Sequence, residues 1–285
     1  MADAGHARKA GQDGPFGRFS EFVDRHRVAV FYTLLLALSW SYLFLTMDGG
    51  EALSRMAPLV LVGPSVCAFL VVLTAHGTAG ARALASGILR VGAPARVHLI
   101  ALVGVPSCFL VAAYAVAFLA FPGQAAAPST ASLVNAAVNF AAVFVLAGLG
   151  EEFGWRGLAL PRLQERHGPL AASSLVGLMW SAWHLPLGFG EQGWASGNMV
   201  FFVSVTAAAF FYTWLFNRTG GSLLAVALLH TTENASGWIY QDAFSFEPPG
   251  FLFFDALKAG VWVLLAGLAV VFTRGTLAHR RSPQP

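Results

Sequence analysis

Apolar positions along this chain run together in long unbroken stretches instead of alternating with polar ones. Stretches near the ~20 residues that a membrane-crossing helix needs fall at about 28–46, 57–75, 97–121, 133–155, 169–187, 198–216, 221–240 and 252–273. Continuous runs argue against strands, and an open sheet leaves its backbone groups unsatisfied in lipid. The pattern therefore predicts an all-α, polytopic transmembrane bundle of about eight spanning helices. It shows no internal repeat and no soluble domain. The expected layout is a cytoplasmic tail over 1–27, one helical domain over 28–273 and a second cytoplasmic tail over 274–285.

Composition strengthens this reading. Hydrophobic residues make up 56% of the chain and charged residues 11%, against roughly 25% charged in soluble domains, and the mean hydropathy is +0.65. A net charge of +3 points neither to a nucleic-acid partner nor to an acidic substrate. Cys67 and Cys108 both lie inside apolar runs, where they act as small hydrophobes and suggest neither a disulfide framework nor a thiolate metal site. The first residues lack the apolar core of a signal peptide, and the segment Phe16 to Phe22 has an amphipathic character.

Charge placement sets an orientation. With the eight spans drawn, fifteen of the seventeen Lys and Arg residues fall on one side, leaving Arg55 and Lys258 opposite together with Asp48, Glu51, Glu191, Asp242 and Glu247. The positive-inside rule then places both termini in the cytoplasm, as expected for a bacterial-type plasma-membrane protein. The stretch from Ala79 to Arg96 reads equally well as an interfacial amphipathic helix or as a basic loop that holds topology.

Few polar residues are left inside the spans, and they form three clusters: Glu151, Glu152 and Arg156; His184, within Trp180-Ser-Ala-Trp-His; and His230, Glu233 and Asn234. Ionisable groups in hydrocarbon are costly and mark function by default. Helical spacing puts His230 and Asn234 on one face and lets Glu152 pair with Arg156. Glu151 lies about 100° around the helix and is less committed to the arginine. A carboxylate base, imidazoles that orient water and an amide for an oxyanion are the parts of amide hydrolysis. Singly, each cluster has a plainer reading: a charge pair at the membrane boundary, a packed histidine, interhelical hydrogen bonding. Trp155, Trp180, Trp183, Trp194, Trp214 and Trp238 read as packing or interface anchors, and Gly220-Gly221 as a turn.

Together the clusters match a known pattern. Glu151-Glu152-Phe-Gly-Trp-Arg156, Trp180-Ser-Ala-Trp-His184 and His230-Thr-Thr-Glu-Asn234 resemble, in order, the Glu-Glu-x-x-x-Arg, aromatic-x-x-x-His and His-x-x-x-Asn motifs of the CPBP family. That family of intramembrane proteases includes CAAX prenyl endopeptidases and bacteriocin-processing or self-immunity proteins. The resemblance spans about 130–240, the expected catalytic core, and departs from it where Trp180 stands at a position that is usually Phe.

It implies an intramembrane endopeptidase acting on a membrane-associated peptide or protein, prenylated or not. Glu151 would activate water with His184, His230 and Asn234 would stabilise the oxyanion, and Glu152 and Arg156 would support the site. Two cofactor readings follow, zinc held by Glu151, His184 and His230 or a metal-independent glutamate protease. The competing classes are a proton-coupled transporter and a non-catalytic peptide-binding or immunity protein. Absence of repeat symmetry argues against the first. One tension concerns depth, since His184 falls further into its span than His230. A short, partly buried helix ahead of Gly168-Pro169 would reconcile them.

Overall fold

A computed structural model describes residues 15–46, 60–123, 126–185, 196–244 and 250–279. The described parts of all eight predicted apolar runs fall largely on helices. These are α1 (Pro15–Arg25), α2 (Arg27–Thr46), α3 (Gly63–Ala85), α4 (Ala95–Ala120), α5 (Thr130–Val143), α6 (Leu160–Trp183), α7 (Ser196–Arg218), α8 (Leu223–Tyr240) and α9 (Gly250–Phe272). The described residues contain no strand. The protein is a polytopic helical membrane protein. Expectations resting on Arg8, Lys9, Asp48, Glu51, Arg55, Glu191, Trp194, Glu247, Arg280 and Arg281 lie outside the described residues.

Among the described residues, five stretches are long and apolar enough to cross a membrane, and one of them, Thr130–Trp183, is 54 residues long. It absorbs two predicted spans. Its internal break is at Gly168, whose φ of 75° suits glycine and whose successor Pro169 cannot donate to the helix ladder. The segment before the break carries Arg162, Glu165 and Arg166 yet buries Leu160, Leu163 and Gln164. A partly buried helical segment therefore precedes Gly168-Pro169. The stretch after Ala79 is likewise helical to Ala85, then tightens into a 3₁₀ turn over Ser86–Leu89. Helix α8 lies below the hydropathy of a simple span because His230, Glu233 and Asn234 interrupt it, but it is buried on most sides and forms the centre of the bundle.

Local chemistry sets several helix ends. Ser129 caps α5, its hydroxyl accepting from the Ser132 amide at 3.0 Å, as short polar side chains do at N-caps. Asp242, just past α8, accepts from the Ser129 amide at 2.7 Å and the Ser132 hydroxyl at 2.6 Å. Those hydrogen bonds, Ser132 first, hold the Asp242 carboxyl below its ordinary 3.8. A depressed folded-state value means that the bond stabilises the fold above about pH 4 and is lost as pH falls through the folded value. The melting temperature of Asp242→Asn is therefore expected below that of the wild type at pH 7, with the gap closing under acid. An unchanged gap at pH 3 contradicts the assignment.

Close helix approach frames the site. A Cβ on Gly154 would stand 2.7 Å from the Pro64 carbonyl oxygen, one on Gly150 2.9 Å from that of Leu61, and one on Gly148 2.9 Å from that of Ala227. Small residues here let α3 and α8 press against the Glu151–Glu152 turn, as in membrane helix packing generally.

Candidate active site

Glu151 and Glu152 sit on a short α-turn, Gly150–Glu152, between two π-helical segments, Phe144–Leu149 and Phe153–Ala159. Such widened turns recur at functional sites because they re-aim side chains that a regular helix would stack. Both carboxylates are almost fully enclosed, at 3% and 1% relative exposure, and Arg156 is at 0%.

The two carboxylates have separate partners. Glu152 accepts from Arg156 Nη1 through both oxygens, at 3.0 and 3.2 Å, and its Oε1 also accepts from His230 Nδ1 at 3.0 Å. The guanidinium of Arg156 lies over the rings of Trp180 and Tyr212, 4.3 and 4.4 Å from their centroids, making a cation–π contact with each. Its Nε and Nη2 are buried without a hydrogen-bond acceptor, so the rings and Glu152 carry its stabilisation. Arg156 is thus enclosed beside Glu152, as its place among the polar residues inside the spans and the i, i+4 spacing led one to expect.

Glu151 has no bond to Arg156. Its Oε2 accepts from the indole N–H of Trp180 at 2.7 Å and of Trp155 at 3.3 Å. Its Oε1 lies 4.0 Å from His230 Nε2. Because His230 Nδ1 donates to Glu152, the ring's orientation is fixed and Nε2 is the nitrogen turned toward Glu151. His184 donates Nδ1–H to the Trp180 carbonyl at 2.9 Å, which leaves its Nε2 as the second ring nitrogen.

Glu151, His184, His230 and Asn234 all line one cavity of about 580 Å³, together with Trp180, Tyr212, Glu233 and Lys258. The three sequence clusters thus meet around one space. Glu152 and Arg156 lie behind it. Among the described residues, no group of three or more His, Cys, Asp and Glu side chains is placed to hold a metal ion.

Four contributors were not recognised in the sequence. Trp155 and Trp180 were read as packing residues, but their N–H groups hold the Glu151 carboxylate. The spacing of Trp155 four residues after Glu151 was an available signal. The Trp-for-Phe departure at Trp180 was another, since only the indole can donate. Lys258 was read as a boundary charge, yet it pairs with Glu233 at 2.9 Å inside the cavity wall, where the Tyr240 hydroxyl also donates to Glu233 at 3.4 Å. A lone lysine in an apolar run was the clue. Nothing in the sequence pointed to Tyr212.

A buried acid and an imidazole therefore face one another at the wall of a cavity inside a bundle of apolar helices. Residues 133–236 match the family model described as "Type II CAAX prenyl endopeptidase Rce1-like". Over 102 residues, 32% of this chain, the sequence is 32% identical to a CAAX prenyl protease 2 from Methanococcus maripaludis. The aligned part spans 37% of that relative's length. All three motifs fall within the matched residues, so over this segment the chain is similar to Rce1-like CAAX prenyl endopeptidases.

Proposed function

We propose that the protein is a membrane-embedded endopeptidase, seated in a bacterial-type plasma membrane, in which Glu151 is the general base for water. The observation that carries this reading is the gap of 4.0 Å between Glu151 Oε1 and His230 Nε2, at the wall of a cavity large enough for a peptide backbone. A water making two hydrogen bonds of about 2.8 Å fits across such a gap. Glu151 takes its proton as the oxygen attacks the carbonyl carbon. The Asn234 amide and the imidazolium form of His230 donate to the oxyanion, and His184 helps to hold the water. The proton then passes from Glu151 to the amine nitrogen as the C–N bond breaks. Water is thus divided between the new carboxyl and the new amine. Glu152 and Arg156 set the orientation of His230. No step is routed through a metal.

Apolar lining from Leu146, Phe201, Trp238 and Trp262 suits a substrate presented from the bilayer. The name of the Methanococcus relative supports a substrate carrying a prenylated C-terminus as one form of it. Comparative membrane proteomics of deletion and Glu151→Gln strains tests the reading. A peptide whose processing disappears in both supports it, whereas processing that survives in the Glu151→Gln strain removes the general base.

The indole of Trp180 offers a finer check. Trp180→Phe keeps the ring over Arg156 but deletes the donor to Glu151, one hydrogen bond to a charged group worth about 1.5 kcal/mol. The expected outcome is a kcat lower by roughly tenfold with KM little changed. A variant with wild-type kcat would show that the bond does not position the base.

A further inference from the structure

A second hollow, sharing no lining residue with the first, lies where α1 meets α2 and the polar first part of α6 passes by. Its volume is about 270 Å³, and its wall carries Arg25, Arg27, Arg162 and Arg166 with Asp24 as the one acid in the lining. Asp24 is already engaged, bonded by Arg27 and by His76 Nε2 at 2.9 Å. Burial pushes its carboxyl up, but Arg27, His76 and Arg162 carry it below its ordinary 3.8. Arg162 bonds Glu165 at 2.7 Å. Arg166 reaches only the backbone oxygen of Arg25, at 3.3 Å, and among the described residues neither Arg25 nor Arg166 has a carboxylate partner. Positive-inside statistics explain the number of arginines on this side. They do not explain why residues near 25 and near 165 converge on one concavity.

Below this basic rim the hollow is apolar, with Val28, Leu163 and Met179 in its wall and the Tyr32 hydroxyl bonded to the Met179 carbonyl at 3.0 Å. Beside it, α1 turns Phe16, Phe19 and Phe22 outward at 89%, 57% and 55% exposure while burying Val23. That spacing places the three rings on one helix face, the disposition of a helix lying in the bilayer interface. A charged rim over an apolar wall, next to such a helix, matches an amphiphile with an anionic head.

We propose that this hollow is a binding site for a phosphate group presented by an anionic membrane phospholipid, held by the guanidinium forks of Arg25, Arg162 and Arg166. Guanidinium binds phosphate through paired hydrogen bonds, and basic pockets between membrane helices select such headgroups. None of the three arginines belongs to the hydrolytic machinery.

Native mass spectrometry of the purified full chain tests the site, using phosphatidylglycerol, phosphatidylcholine, oleate and inorganic phosphate as probes. Wild type is expected to retain phosphatidylglycerol over phosphatidylcholine and oleate, and the triple variant R25Q/R162Q/R166Q to retain about tenfold less. Arg-to-Lys replacement at the same three positions keeps charge without the fork and is expected to fall between them. Equal retention of oleate means that charge alone is read, and equal retention of phosphatidylcholine means that no anion is selected. Displacement of the lipid by inorganic phosphate at matched concentration means that the group is taken from solution. Each of these overturns the lipid site, as does wild-type retention in the triple variant. If that variant does not fold, the comparison of probes on wild type decides alone.

Discussion

Cleavage by Glu151→Gln is expected to fall by roughly a thousandfold, the middle of the range for loss of a general base, while peptide binding stays within a few-fold of wild type. The amide of glutamine still fits between Trp155 and Trp180 and can accept an indole N–H through its oxygen, so the site keeps its shape. What it loses is the capacity to take a proton from water. Single-turnover cleavage and equilibrium binding of one peptide measure the two effects separately. A peptide-binding or immunity protein would keep its whole activity in this variant, and a proton-coupled transporter would lose uptake with no cleavage to lose. Cleavage at the wild-type rate would remove Glu151 from the chemistry.

The largest structural effect is expected at Arg156. Replacing it with Met leaves the enclosed Glu152 carboxylate without its cation, and breaking one side of a buried pair costs about 3–5 kcal/mol. Removing both charges together, in E152Q/R156M, takes away the uncompensated ion and is expected to recover much of that loss, because the two sites are in contact and their effects are not additive. Recovery of stability without recovery of activity is the expected pattern, since His230 loses the carboxylate bonded to its Nδ1. Denaturant unfolding in detergent, paired with cleavage, checks both. A double variant as unstable as the single one would show that the pair is not coupled.

The sequence revealed the helices because lipid imposes a plain rule: an apolar run of sufficient length becomes helix. It revealed Glu151, His184, His230 and Asn234 as a group because each interrupts such a run at a cost that needs a reason. It gave less on how the group is held. The π-helical turns around Gly150–Glu152 depend on how α3 and α8 press on glycines, and no periodicity in the chain reports that. The indole donors looked like packing because tryptophan is both an anchor and a hydrogen-bond donor, and only a partner's position separates the two. Arg156 was legible as the partner of Glu152, but spacing along one helix cannot show that its guanidinium packs over the Trp180 and Tyr212 rings. The break between the two spans at Gly168 comes from a single residue's positive φ, a property that glycine permits without announcing.

The central claim is that a water, activated by Glu151 inside the bundle, supplies the oxygen of the new carboxyl group. Single-turnover cleavage in ¹⁸O-labelled water, with a peptide identified from the deletion strain, tests it most directly when product and protein are both weighed. The account requires one labelled oxygen in the peptide's new carboxyl and none in Glu151. Label in the Glu151 carboxyl would mean that the side chain attacked the substrate itself, and cleavage without label in the product would mean that water is not the nucleophile.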